Sequence, residues 1–218
     1  NNFCTMNPLD KGSGISTSQG NLIVNYDNDH KAIRGTHAIS SGKWYWETKN
    51  VWSSNQPIIG IMGTSARIED QAGSNEFWGY RANGYKVEAG VFTSGAGATW
   101  DQAGNDIISI RLDLDAGTIS YYKNNVFQFT SSGLSGEYAP VLKAYETAVY
   151  QKINFGQDST FAGSVTAGGN SDANGIGDFK YTVPTDAKAL CTSNLPDPVI
   201  DPAQDASPED YFAPAIWS

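Results

Sequence analysis

Two histidines, two cysteines and a scatter of carboxylates are the residues here that could do chemistry. His30 lies at the tip of Asp27-Asn28-Asp29-His30 and His37 in an extended run, so a Ser-His-Asp or Cys-His arrangement has little to draw on. Glycosidase chemistry needs an acid and a nucleophile flanking one bond, about 5 Å apart. A Glu-x-Asp-x-x-Glu strand pattern would supply them, and none occurs around Glu47, Glu69, Glu76, Glu88, Glu137, Glu146 or Glu209. Gly95-Ala96-Gly97-Ala98 lacks the Lys-Ser/Thr and helix of a phosphate loop. Asp27, Asn28, Asp29, Asp113, Asp115 and the segment 163–178 hold many oxygens suited to Ca²⁺, but in no recognised ligand spacing. The expectation is no catalytic residue, no metal and no cofactor.

Aromatics are better placed to bind than these groups are to catalyse. Trp52 stands in Val51-Trp52-Ser53-Ser54-Asn55-Gln56, Trp100 stands beside Asp101 and Gln102, and Trp78 and Tyr80 follow the polar run 69–76. Such rings can stack on sugar faces or anchor a protein partner, with Asp101 taking hydroxyl hydrogen bonds. The competing reading for each ring is burial in a core. Cys4 and Cys191 carry a similar choice. They could pair and close a loop of about 187 residues, worth roughly 4–5 kcal/mol in the chain-entropy model, or stand as two separate buried thiols.

The elements that would position these residues are strands. Short β-type runs follow one another with turn chemistry between them, and no apolar stripe of helical period is sustained beyond about two turns. The runs are 21–26, 31–39, 43–50, 57–62, 77–82, 85–92, 107–113, 118–122, 126–130, 139–145 and 152–155, with later candidates at 179–181 and 187–192. Asn83-Gly84 reads as a two-residue hairpin with both residues at positive φ. Asp115-Ala116-Gly117 and Asn124-Asn125 make a three-strand meander of 107–130. Trp44, Trp46 and Thr48 share one face of their strand, with Lys43, Tyr45, Glu47 and Lys49 opposite. A dozen half-buried strands predict an all-β fold, a two-sheet antiparallel β-sandwich.

The 218 residues carry 14 Lys+Arg against 23 Asp+Glu, a formal charge of −9, which disfavours nucleic acid and anionic membrane surfaces as partners. No apolar run reaches the ~18 residues of a spanning helix. Charged residues are only 17% and aromatics 12%, a balance common in extracellular and virion proteins. Residues 1–195 read as one domain and 196–218 as an acidic Pro-rich linker that ends in the apolar Tyr211–Trp217, the start of a following module. Five acidic residues, Asp197, Asp201, Asp205, Glu209 and Asp210, belong to that linker and leave about −4 for the rest.

A series of blocks in fixed order resembles the SPRY domain. They are Gly42-Lys43-Trp44-Tyr45-Trp46-Glu47, Ile58-Ile59-Gly60-Ile61, the run 104–113, the run 117–125, Tyr138-Ala139-Pro140-Val141 and Ile153-Asn154-Phe155-Gly156. The flanks, 4–10 and 188–196, are similar to segments that bracket SPRY modules in large tail or virion proteins of marine bacteriophages. The resemblance implies a concanavalin A-like jelly roll that binds proteins or peptides through variable loops, without a cofactor. Two features depart from the usual pattern: a Gly/Asn/Ser-rich insertion at 163–177, and Asn125 where the hairpin commonly has Gly. The expected function is a non-enzymatic module of a virion, in a tail fibre or capsid decoration. Its partner would be a protein or glycan on a host surface, or another virion protein. Assembly with copies of itself fits a tail fibre, although the sequence shows no coiled coil or repeat. The alternative is a carbohydrate-binding module of a secreted bacterial protein, with Trp52, Trp78 or Trp100 as platforms.

Overall fold

The structure is a computed structural model that describes residues 1–27, 30–52, 56–68, 75–100, 106–144 and 149–196. Fifteen strands are assigned: β1 Met6–Lys11, β2 Ile15–Ser18, β3 Ile23–Tyr26, β4 Ala32–Gly35, β5 Lys43–Trp52, β6 Ile58–Gly63, β7 Phe77–Arg81, β8 Lys86–Glu88, β9 Val91–Thr93, β10 Ile107–Asp113, β11 Thr118–Lys123, β12 Val126–Ser132, β13 Tyr138–Lys143, β14 Val149–Asn154 and β15 Lys188–Ala189. One sheet runs β1-β4-β13-β6-β7-β8-β9 and the other β12-β11-β10-β5-β14-β3-β2. All pairings along these paths are antiparallel; β15 alone adds a parallel pair, to the start of β5. The expected two-sheet sandwich is the observed fold.

Period-2 alternation supplies the core. Trp44 and Trp46 of β5, Ile108, Ile110 and Leu112 of β10, and Ile119 and Tyr121 of β11 face Ile59 and Ile61 of β6 and Trp78 and Tyr80 of β7 in one buried cluster. Burying each such side chain stabilises the fold by roughly 1.5–3 kcal/mol. Gly60 lets β6 and β7 approach, since a Cβ there would lie 1.9 Å from the carbonyl oxygen of Trp78.

The outer face of β5 departs from the half-buried expectation. Tyr45, Glu47 and Lys49 are as buried as the tryptophans opposite. The reason is the segment after β14, which folds back over the sheet and builds a second small core from Tyr45, Phe179, Val183, Ala187 and Ala189. Carboxylates hold this loop-rich segment together by accepting backbone N–H groups. Asp158 accepts from Thr160 at 2.8 Å and Ala162 at 2.7 Å, and Asp172 from Asn174, Ile176 and Ala189, each at 2.9 Å. In the 163–178 stretch that suggested Ca²⁺, the oxygens of Asp172 and Asp178 accept the protein's own N–H groups. Among the described residues no three His, Cys, Asp or Glu side chains gather as a metal site would require.

Three turn and strand expectations are corrected. At Asn83-Gly84 only Gly84 has positive φ, +88°, and the turn closes one residue earlier with the Gly84 N–H on the Arg81 carbonyl at 2.9 Å. The run 85–92 is two strands, split by Ala89 and Gly90, both at positive φ. Residues 179–181 form no strand; Phe179 makes a single bridge to Asn170. Asn124 and Asn125 do take positive φ, +49° and +66°, as the hairpin requires.

The disulfide option is also settled by register. Phe3 and Cys191 pair directly in an antiparallel bridge, and the Cys4 N–H donates to the Leu190 carbonyl at 2.9 Å. Directly paired residues share a face and successive residues alternate, so Cys4 and Cys191 project to opposite sides. Both are free, buried thiols. The linker read at 196–218, with Tyr211–Trp217, lies outside the described residues except for Pro196.

Candidate binding surface

Strand polarity gathers the connections at one end of the sandwich. β5 ends where β10 and β14 begin, because Lys49 pairs with Ile107 and Trp52 with Tyr150; β3 ends there too, Tyr26 pairing with Val149. Ile108 pairs with Lys123, and Ile58 with both Arg81 and Lys143, which adds the turn of β11–β12, the turn of β7–β8 and the end of β13. The strand ends bordering 27–31, 53–57, 82–85, 94–106, 124–125 and 144–148 therefore form one rim.

Several hydrogen bonds fix this rim. Asn124 donates to Asp106 at 2.7 Å and accepts the Ile107 N–H at 2.9 Å, while Lys123 pairs with Asp106 at 3.1 Å and donates to the Thr99 carbonyl at 2.8 Å. The 94–99 connection is pinned twice. Gly84 accepts the N–H groups of Ala96 and Gly97 at 3.1 Å, and Gln128 accepts that of Ala98 at 2.9 Å.

The expected ligand-contacting aromatics do not line this rim. Trp78, Tyr80 and Trp100 are 6%, 0% and 2% exposed and belong to the main core. Tyr80 packs edge-on against Trp100, Tyr121 and Phe129 at 5.7, 5.7 and 5.0 Å, and its hydroxyl donates to the Ala98 carbonyl. The core reading wins because Trp78 and Tyr80 both point inward on a central strand and Trp100 is held beside Tyr80 by its backbone N–H donating to the Ala82 carbonyl at 2.8 Å. Trp52 is the last residue of β5 rather than a loop residue; its side chain, like all of Asp101, lies outside the described residues.

The exposed apolar residues are not the aromatics the sequence singles out. Among the described residues Leu9, Val91, Val126 and Phe127 are the large exposed hydrophobics, and the last three sit on edge strands β9 and β12. Those edges are on the same side of the molecule, since β12 lies against β8. Phe127 is 56% exposed because of a bulge: Tyr121 pairs with Phe129, yet Tyr122 pairs with Phe127, leaving Gln128 extra. A bulge re-aims side chains, and without it Phe127 would share the inward face of Phe129. The only sequence signal is its place two residues after the Asn-Asn turn.

Titratable groups are spoken for structurally. Glu47 accepts from the Tyr45 hydroxyl and the backbone of Lys180 and Tyr181, and burial raises its pKa. Asp186 is held at about 2 by hydrogen bonding from Arg111. His30 and His37 stand beyond opposite ends of β4, so they cannot act together. A cleft of about 490 Å³ opens at the end opposite the rim, beside Lys43, Trp44, Asp115 and Asp186.

The SPRY domain family model matches residues 43–158, more than half of the chain. The chain belongs to the SPRY domain family. Solved SPRY structures have the same fold: the SPRY domain of human HERC1 superposes with a TM-score of 0.56 at 19% identity, covering 68% of this chain and 96% of that one. The TRIM65 PSpry domain gives 0.55 at 15% identity, covering 69% and 91%. Stonustoxin gives 0.53 at 17%, covering 69% of this chain and 27% of that much longer one. SPRY domains are protein-interaction modules, generally without enzymatic activity, and this SPRY domain presents its connections accordingly.

Proposed function

We propose that this SPRY domain is a non-enzymatic attachment module of a bacteriophage virion protein, in a tail fibre or capsid decoration. It binds a protein or glycan on the host surface, or a neighbouring virion protein, through the connections at the rim. The observation that carries a binding role is that the strand ends bordering six connections converge at one end of the sandwich. Side chains held on the described strand ends and turns of that rim have little ordering entropy to lose. The virion setting is supported by the flanks 4–10 and 188–196, which resemble segments around SPRY modules of phage tail proteins, and by the sparsely charged composition. The carbohydrate-module alternative loses Trp78 and Trp100 as platforms, since both are buried.

Gene order and particle fractionation test the virion reading. Neighbouring capsid, portal or tail genes and co-sedimentation of this chain with purified particles are expected. Neighbouring polysaccharide-degrading enzymes, with the chain absent from particles, would overturn it.

A further inference from the structure

The segment after β14 covers the outer face of the second sheet only as far as β10, where Arg111 bonds to Asp186. Beyond it, among the described residues, the outer strip of β11 and β12 is exposed at Phe127, Thr130 and Ser132, half-buried at Thr118 and Tyr122, and buried at Ser120. Register orders the strip in rows: Tyr122 beside Phe127, Ser120 beside Thr130, Thr118 beside Ser132. Rows are ~7 Å apart along the strands and the strands ~4.8 Å apart. The aromatic row packs edge-on, centroids 5.7 Å apart at 69°, with Phe127 turned out by the bulge. The next row is a hydroxyl pair, Ser120 and Thr130, at 2.7 Å. No member of the strip is charged, in a chain whose net charge is −9. Arg111, which pairs with Ser120, is engaged by Asp113 and Asp186, and Lys123, which follows Tyr122, is engaged by Asp106.

From this arrangement we infer that the β11–β12 outer face, apart from the rim, is a binding strip for a neutral polysaccharide chain. Aromatic faces attract the C–H faces of sugar rings, and Ser and Thr hydroxyls both donate and accept, matching sugar hydroxyls. A neutral ligand fits a strip with no charge to complement. Size points the same way. Two strands of about six residues offer on the order of 200 Å², far below the ~800 Å² per partner of a stable protein interface. They offer enough for a few sugar rings lying along the strands.

The test is native affinity electrophoresis of the protein through gels cast with a mannan, a β-glucan or a galactan, with analytical ultracentrifugation in parallel. At least one neutral polysaccharide should retard the wild type. Phe127→Ala should weaken that binding at least tenfold, Phe127→Trp should retain it, and Thr130→Arg, on an exposed side chain, should weaken it with the melting temperature unchanged. No retardation in any gel would overturn the inference. So would retardation that Phe127→Ala and Thr130→Arg leave intact, which would move glycan binding elsewhere. Self-association lost on Phe127→Ala without any retardation would make the strip a protein contact and equally overturn it.

Discussion

The carboxylate of Glu47 accepts the backbone N–H of Tyr181 at 2.8 Å, across 134 positions of sequence. Its other oxygen takes the N–H of Lys180 at 2.8 Å, so one buried side chain clamps the covering segment onto the sheet. Hydrogen bonds to a charged group contribute about 1.5–3 kcal/mol each, and an orphaned buried N–H costs a comparable amount.

Glu47→Ala is therefore expected to destabilise by about 3 kcal/mol, lowering the melting temperature by roughly 6–12 °C for a domain of this size. Amides of Lys180 and Tyr181 should lose hydrogen-exchange protection before the sandwich does. Unchanged exchange at those two positions would refute the clamp.

Burial raises the Glu47 pKa, so the folded state holds this proton more tightly than the unfolded chain. The linked stability is fully present below the unfolded value of 4.5 and is lost as pH rises through the folded pKa. Denaturant melts between pH 4 and 8 should show the wild type gaining on Glu47→Gln as pH falls. A pH-independent difference would count against it.

Asp186 has the opposite sign. Its pKa is lowered to about 2 by the hydrogen bond from Arg111, so its contribution is present above the unfolded value of 3.8 and is lost as pH falls through about 2. Carboxyl NMR titration should place Asp186 near 2 in the wild type and raise it toward its ordinary value in Arg111→Ala, with Lys43 still paired to it. The exposed pair should leave overall stability almost unchanged.

Cys4 and Cys191 should both be silent to a thiol reagent at pH 8 in the native protein and both react after unfolding in guanidinium. Burial raises the Cys4 thiol to about 11, leaving little thiolate even where reagent reaches it. Dithiothreitol should not shift the melting temperature. Fewer than two thiols after unfolding would reveal a bond between them.

Asn125→Ala should cost about 1–2 kcal/mol by urea denaturation, because Asn125 sits at φ +66° where a Cβ without a local hydrogen bond is strained. Asn125→Gly should be neutral or slightly stabilising. Equal effects of the two changes would mean that backbone conformation does not set the residue at this turn.

Where the sequence determined structure locally, it could be read. Alternation places β10 at Ile107–Asp113, and the Asn124-Asn125 turn behaves as its residue types demand. β1 and β2 are not legible in the sequence because Met6-Asn7-Pro8-Leu9 and Ile15-Ser16-Thr17-Ser18 carry little apolar alternation; they are strands because β4 and β3 pair with them. The split at Ala89 could not be foreseen, since alanine gives no signal for positive φ. Site residues were harder still. The same Trp-rich composition serves a core or a platform, and only the facing sheet decided that Trp78, Tyr80 and Trp100 are core. The exposure of Phe127 depends on one extra residue in a strand, a matter of register that strand periodicity alone does not reveal.

The bridge between Phe3 and Cys191 brings the first residues beside Thr192, whose N–H donates to the Asn2 carbonyl at 2.9 Å. The two end segments are antiparallel and leave from the same side. Tension applied between them would peel this clasp open one hydrogen bond at a time, as a zip opens, rather than shear it. The sandwich would stay out of the load path until the clasp has parted, and its rim would keep its shape under a pull that had already begun to separate the two segments.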